Sequence, residues 1–157
     1  MSQVLDVLKR LVGKPVWGAR RSHGSSFFME IGSPHLSVRE ASTDPEVRRR
    51  SPALAKRKIS LAGEFQILIL DCNWAITSAG ADVTNFCEES VIDGAVQTLN
   101  STYIAGVDEN DSFTLSMDSG VSLIVASNDD VGKEDQWNIL VPEGETWALC
   151  PDGSVIK

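Results

Sequence analysis

The sequence predicts an α+β fold made of two similar halves, each a short helix followed by an antiparallel meander, related by a pseudo-twofold internal duplication. Three observations lead there. An apolar pattern recurs along the chain, each copy opens on a helical period that gives way to strand alternation, and turn residues interrupt both copies at matching points. The first copy runs Val4-Leu5-Asp6, Leu11, Val16-x-Gly18, Phe27-x-Met29-x-Ile31, Leu36-x-Val38, Phe65-x-Ile67, Trp74-Ala75-Ile76. The second runs Val91-Ile92-Asp93, Leu99, Ile104-x-Gly106, Phe113-x-Leu115-x-Met117, Leu123-x-Val125, Trp137-x-Ile139, Trp147-Ala148-Leu149. Paired positions lie 86 to 88 residues apart as far as Val38/Val125 and then 72 or 73, because 26 residues (39–64) stand opposite 11 (126–136). Residues 1–80 thus form a first half carrying the insertion 39–64, and residues 88–157 a second half.

Each element follows from local pattern. Val4, Leu5, Leu8, Leu11 and Val12 form one stripe on a 3.6-residue period, with Ser2 as N-cap and Gly13 closing the helix. In the second copy Ser90-x-x-Asp93 has the form of a capping box before Val91, Ile92, Ala95, Val96 and Leu99, and Asn100 ends the helix. Leading strands centre on Val16 and Ile104. Phe27, Met29, Ile31 and Phe113, Leu115, Met117 alternate as half-buried strands do. Gly32-Ser33-Pro34 and Asp118-Ser119-Gly120 then turn each chain into Leu36–Val38 and Ser122–Val125. Phe65–Leu70 is expected to turn through Asp71-Cys72-Asn73 into Trp74–Thr77, and Trp137–Val141 through Pro142-Glu143-Gly144 into Thr146–Cys150. A short strand follows Pro151-Asp152-Gly153. The insertion reads as an exposed excursion with a weak helix over Pro52–Ile59.

Charge divides the halves. Residues 1–80 carry 12 Lys/Arg and 7 Asp/Glu, and residues 81–157 carry 2 and 15, so +5 and −13 make the net −8. Duplicated halves of this kind have diverged on their surfaces while keeping their apolar seams. Opposite charge on two like-shaped halves also invites contact between copies, so a homo-oligomer is one expectation.

The sequence points away from catalysis and from membranes. No apolar run approaches the ~18 residues of a membrane helix. Asp6, Lys9 and Arg10 interrupt the N-terminal apolar stretch, so it does not read as a signal peptide, and Cys72, Cys87 and Cys150, without C-x-x-C spacing, read as reduced thiols of a cytoplasmic protein. No nucleotide, cofactor or zinc motif is present. Asp129-Asp130 and Glu134-Asp135 lack the order of a calcium loop. His23 stands among Ser22, Ser25 and Ser26, a base beside hydroxyls, but a turn between strands explains the same residues; His35 sits in a second turn. The four tryptophans are expected in the core or between the halves.

Helix, paired strands, Trp137-x-Ile139-x-x-Pro142-x-Gly144-x-x-Trp147 and the Pro151-Asp152-Gly153 ending together resemble small cytoplasmic bacterial proteins of the polymorphic-toxin immunity type. The resemblance covers the second copy best, and the insertion 39–64 has no counterpart in it. It implies a non-catalytic binding protein, without cofactor, that neutralises a toxin by covering its active surface. Charge points to the contact surface: Asp108, Glu109, Asp111, Asp129, Asp130, Glu134 and Asp135 gather at hairpin ends and suit a basic protein partner. The alternative is a nucleic-acid-associated protein using Arg48, Arg49, Arg50, Lys56, Arg57 and Lys58. That loop has no aromatics for stacking on bases, and the acidic remainder opposes a polyanion.

Overall fold

The computed structural model describes residues 2–128, 135–152 and 154–157. In chain order the helices and strands are α1 (Ser2–Lys9), β1 (Pro15–Arg21), β2 (Phe27–Ile31), β3 (His35–Arg39), α2 (Pro45–Arg50), β4 (Lys58–Ala62), β5 (Phe65–Ile69), β6 (Asn73–Ser78), β7 (Ala81–Thr84), α3 (Glu89–Gln97), β8 (Thr102–Asp108), β9 (Phe113–Met117), β10 (Ser122–Ala126), β11 (Trp137–Leu140), β12 (Thr146–Leu149) and β13 (Val155–Ile156). The fold is α+β, and its strand pairs are antiparallel.

Eleven strands follow the order β13-β12-β11-β5-β2-β1-β8-β9-β10-β6-β7, while β3 and β4 pair only with each other. The order reads alike outward from the β1–β8 joint, which is only two residue pairs long, Pro15↔Tyr103 and Val16↔Thr102. Register follows the same rule. Ile69 lies between Phe27 and Trp137, as Val125 lies between Phe113 and Trp74. The final hairpin of each half is therefore exchanged: β6–β7 pairs with β10, and β11–β12 with β5.

That exchange corrects two expectations. Phe65–Leu70 and Trp74–Thr77 are strands but do not form a hairpin together. Nor does Leu36–Val38 return along β2, whose neighbours are β1 and β5. The matching tryptophans are also different. Trp74 meets Phe27 edge-on at 5.1 Å and 81°, and Trp137 meets Phe113 at 5.4 Å and 82°. Trp74 is thus the counterpart of Trp137, whereas Trp147 lies half-buried on β12 beside the Lys157 ammonium.

The helices cross over as well. α1 packs on β8 and α3 on β1. Val4, Val7 and Leu8 of the first are buried with Leu11 in the turn beyond it, as are Ile92, Ala95 and Val96 of the second with Leu99 beyond it, at positions 88 residues apart. These stripes join the inner faces of β2, β5, β6, β9, β10 and β11 in one apolar cluster. The expected capping box is absent: Glu88 is the N-cap, Ser90 lies inside α3, and Asp93 holds Arg21 of β1 at 2.7 Å. Val16-x-Gly18 and Ile104-x-Gly106 both fall where the strand register slips, so the repeated glycines mark paired bulges.

The chain leaves each helical segment through a left-handed residue: Gly13 at φ 84° in one half, Ser101 at φ 63° in the other. Their amides make reciprocal bonds, Gly13 N–H to Ile104 O and Ser101 N–H to Val16 O. Serine has a Cβ that opposes this conformation, and glycine does not. Ser101→Gly is expected to raise stability by about 1 kcal/mol in a denaturant titration. A loss of stability would refute the strain at that position.

Candidate interaction surface

Strand β4 of the insertion pairs with β3, just ahead of the insertion, as a ribbon that projects from the body. Cross-strand pairs Leu36↔Leu61 and Val38↔Ile59 share one face, while His35↔Ala62, Ser37↔Ser60 and Arg39↔Lys58 share the other. His35, Ser37, Lys58 and Ser60 turn toward a groove of about 630 Å³ that also meets Phe28 and Gln66 on the body. Both faces of the ribbon are exposed, and the apolar quartet is left without cover, with Leu36 68%, Leu61 61%, Ile59 59% and Val38 53% exposed, Leu61 also bordering the groove. Covering one such side chain contributes roughly 1.5–3 kcal/mol, and four adjacent ones form a patch of the size that marks contact sites.

Two carboxylates anchor the ribbon. Glu30, 4% exposed, accepts from the Gly63 N–H at 2.9 Å and from the Gln66 amide at 2.7 Å. Its oxygens brace the exit of β4, which makes it a strut. Glu64 accepts from the Ser33 N–H at 2.8 Å and from Lys14 Nζ at 2.7 Å. The Trp17 indole N–H donates to the Gly32 carbonyl at 2.8 Å. Beyond the ribbon Asp44 caps α2 through the Glu46 N–H, with Pro45 in the first turn, and Arg39 donates to the Ala53 carbonyl. Pro52–Ala55 form one 3₁₀ turn where a helix to Ile59 was expected, because the strand pairing of β4 takes over from Lys58.

The Glu64 contacts carry a pH dependence. Hydrogen bonds from Lys14, then from the Ser33 amide, hold its carboxyl down at about 2, against an ordinary 4.5. A depressed acid contributes stability above its ordinary value and loses that contribution as pH falls toward the folded value. Glu64→Gln is expected to unfold at lower temperature than the parent by a constant margin above about pH 5. The margin should close between pH 4.5 and about 2. Thermal unfolding across this range checks it, and a margin that stays constant down to pH 2 would dismiss the ion pair as its source.

Half of the basic residues named from the sequence are engaged. Glu46 holds Arg49 and Arg50, and Glu40 holds Arg57. Arg48, Lys56 and Lys58 make no ion pair among the described residues. The acidic set divides too. Asp129, Asp130 and Glu134 lie outside the described residues. Asp111 accepts from both the amide and the hydroxyl of Ser127 at 2.8 Å, bracing the β9–β10 hairpin, and Asp135 is half-buried. Asp108 and Glu109 remain exposed without an ion pair among the described residues.

His23 is an exposed turn residue: Ser22 N–H donates to Ser26 O, Ser26 N–H to His23 O, and the Ser26 hydroxyl to Leu70 O at 3.2 Å. The structure thus gives the nearby Ser26 hydroxyl a structural partner. Cys72, Cys87 and Cys150 are free, and burial pushes the Cys72 thiol up to about 12. Among the described residues no helix is long and apolar enough to cross a membrane.

Sequence reasoning missed a second surface. Phe86, between β7 and α3, is 84% exposed beside a shallow hollow of about 220 Å³ lined by Trp74, Ala75, Ile124 and Ala126. A solvent-facing phenylalanine next to Asn85 has no periodic signal to reveal it. Fold and surface together define an α+β protein with a projecting apolar ribbon. No protein-family model, curated protein or solved structure matches the chain.

Proposed function

We propose that the protein is a non-catalytic binding protein of the cytoplasm, acting through the projecting ribbon and the acidic hairpin ends. The single observation that carries this reading is the outward quartet Leu36, Val38, Ile59 and Leu61, ordered in a paired ribbon but contributing nothing to the core of its own chain. Folding alone gives no reason to expose those side chains, whereas a partner that covers them does. Asp108 and Glu109 supply long-range attraction for a basic protein. This fits the immunity-type role in which a toxin's active surface is covered. The nucleic-acid alternative is weaker, because three of its six cations are already paired with Glu46 or Glu40.

The test is affinity capture from the source organism with the full chain and with a chain lacking residues 35–62. Excision leaves Gly32, Ser33, Pro34, Gly63 and Glu64 to join β2 to β5, comparable to the short turn between β9 and β10. The full chain should retain a protein that the excised chain or the Asp108→Lys/Glu109→Lys variant loses. Capture unchanged in both variants would end the reading.

A further inference from the structure

We infer that the ribbon of one copy seats on the Phe86 face of a second copy, and reciprocally, closing a twofold dimer. This rests on the reading of the ribbon as a binding element and names its occupant. Charge selects that occupant. Residues 35–62 carry seven Lys/Arg and three Asp/Glu, a net +4, and leave the rest of the chain at −12. Without the ribbon the first half is close to neutral, so the polarity between halves is a polarity between ribbon and body. Two ribbons stacked on each other would bring like charges together, whereas a ribbon placed on a second body brings opposite charges together.

The body also offers a face for it. In the first half the ribbon's polar side overhangs the outer face of β2 and β5, where Arg20 stacks 4.0 Å above Phe28 beside Leu68. The corresponding row in the second half is Thr114, Ile124, Ala75 and Thr84, in register across β9, β10, β6 and β7. There β9 returns directly into β10, so no inserted ribbon overhangs the row, and the Phe86 hollow lies along it. Small side chains around Ile124 leave room for leucine and isoleucine. Asp82 and Glu88 flank Phe86 in sequence and supply the opposite charge to Arg48 and Lys56 of the ribbon, while Glu89 already meets Arg21 at 3.4 Å. A standard interface buries about 1,200–2,000 Å² in all, and two reciprocal contacts double the area that a single apolar ribbon face can cover. Closure by a twofold axis uses both faces and leaves no free end for further growth.

Sedimentation equilibrium on the purified full chain tests this. At about 50 mM salt the expected mass is twice 17.0 kDa, and salt near 0.5 M should weaken the dimer by about tenfold or more. Leu61→Asp alone and Phe86→Asp alone should each return the mass to 17.0 kDa with an unchanged circular dichroism spectrum; both positions are exposed, so neither change disturbs the core. Mixing the two variants is the sharper experiment. One intact ribbon then meets one intact face, so the mixture should dimerise where neither variant does.

A wild-type mass of 17.0 kDa up to near-millimolar concentration overturns the inference. So does a Phe86→Asp dimer, which would place the ribbons on each other, or a mass that climbs without limit. If the purified chain stays monomeric while residues 35–62 still govern capture of another protein, the second copy is excluded and the binding reading stands. If mass does not depend on the ribbon, and capture depends neither on the ribbon nor on Asp108 and Glu109, both fall.

Discussion

Trp137→Ala should lower the unfolding free energy by about 3–5 kcal/mol, a large fraction of the 5–15 kcal/mol typical of a whole domain. Trp137 is fully buried, and its strand β11 sits between β5 and β12. Its ring lies edge-on to Phe113, and its indole N–H donates to Ser112 Oγ at 3.3 Å. Alanine would leave a cavity, remove the aromatic contact and strip that serine of its donor. Trp74→Ala should be comparable, since Trp74 meets Phe27 in the same geometry and donates to Ser25 O. Urea unfolding followed by far-ultraviolet circular dichroism measures both. A loss below about 1 kcal/mol at either position would mean that the exchanged hairpins do not bind the sheet as described.

The second large effect is expected at Gly63, where the ribbon rejoins the body. A Cβ there would lie 2.7 Å from the backbone N and O of Ile31, closer than side chains approach backbone. Neither atom sits on a flexible side chain, so β2 or β5 must shift. The shift would also disturb the Gly63 N–H bond to the buried Glu30 carboxylate. Gly63→Ala should cost about 1–3 kcal/mol, and limited proteolysis should cut residues 35–62 faster. Gly94 is the control: it lies within α3 with nothing near its missing Cβ, so Gly94→Ala should stabilise by roughly 0.5–1 kcal/mol. Equal effects at both sites would reduce the Gly63 result to backbone entropy.

Much of this architecture is legible in the sequence, because local pattern reports local burial. Val4, Leu8 and Leu11, with Ile92, Val96 and Leu99, declare the two helical stripes, and the Val16-x-Gly18 and Ile104-x-Gly106 pairs mark the bulges. Alternation cannot name a strand's neighbour, however. Phe65–Ile69 and Trp74–Ser78 show the same pattern whether they pair with each other or with β11 and β10. Identity also misled at the tryptophans. Trp74-Ala75-Ile76 matches Trp147-Ala148-Leu149 in letters, but the packing partners Phe27 and Phe113 make Trp74 the equal of Trp137. At Leu36-x-Val38 alternation correctly shows a two-faced strand and does not show that both faces meet water. The brief β7 carries too little apolar content to stand out, while Asp44-Pro45-Glu46 contains the start signal of α2. Of the candidate contact surface, the acidic residues were visible as charge. The bonds from Ser127 that engage Asp111 and the exposed hollow at Phe86 depend on tertiary neighbours.

The exchanged hairpins bear on how the chain is made. While a ribosome is still adding residues beyond Thr84, β5 has no partner for its outer edge, and β6–β7 has no β10 to join. Both wait for segments synthesised much later, the last of them β11 and β12. The emerging polypeptide thus carries open strand edges until β10 and then β11 have left the ribosome.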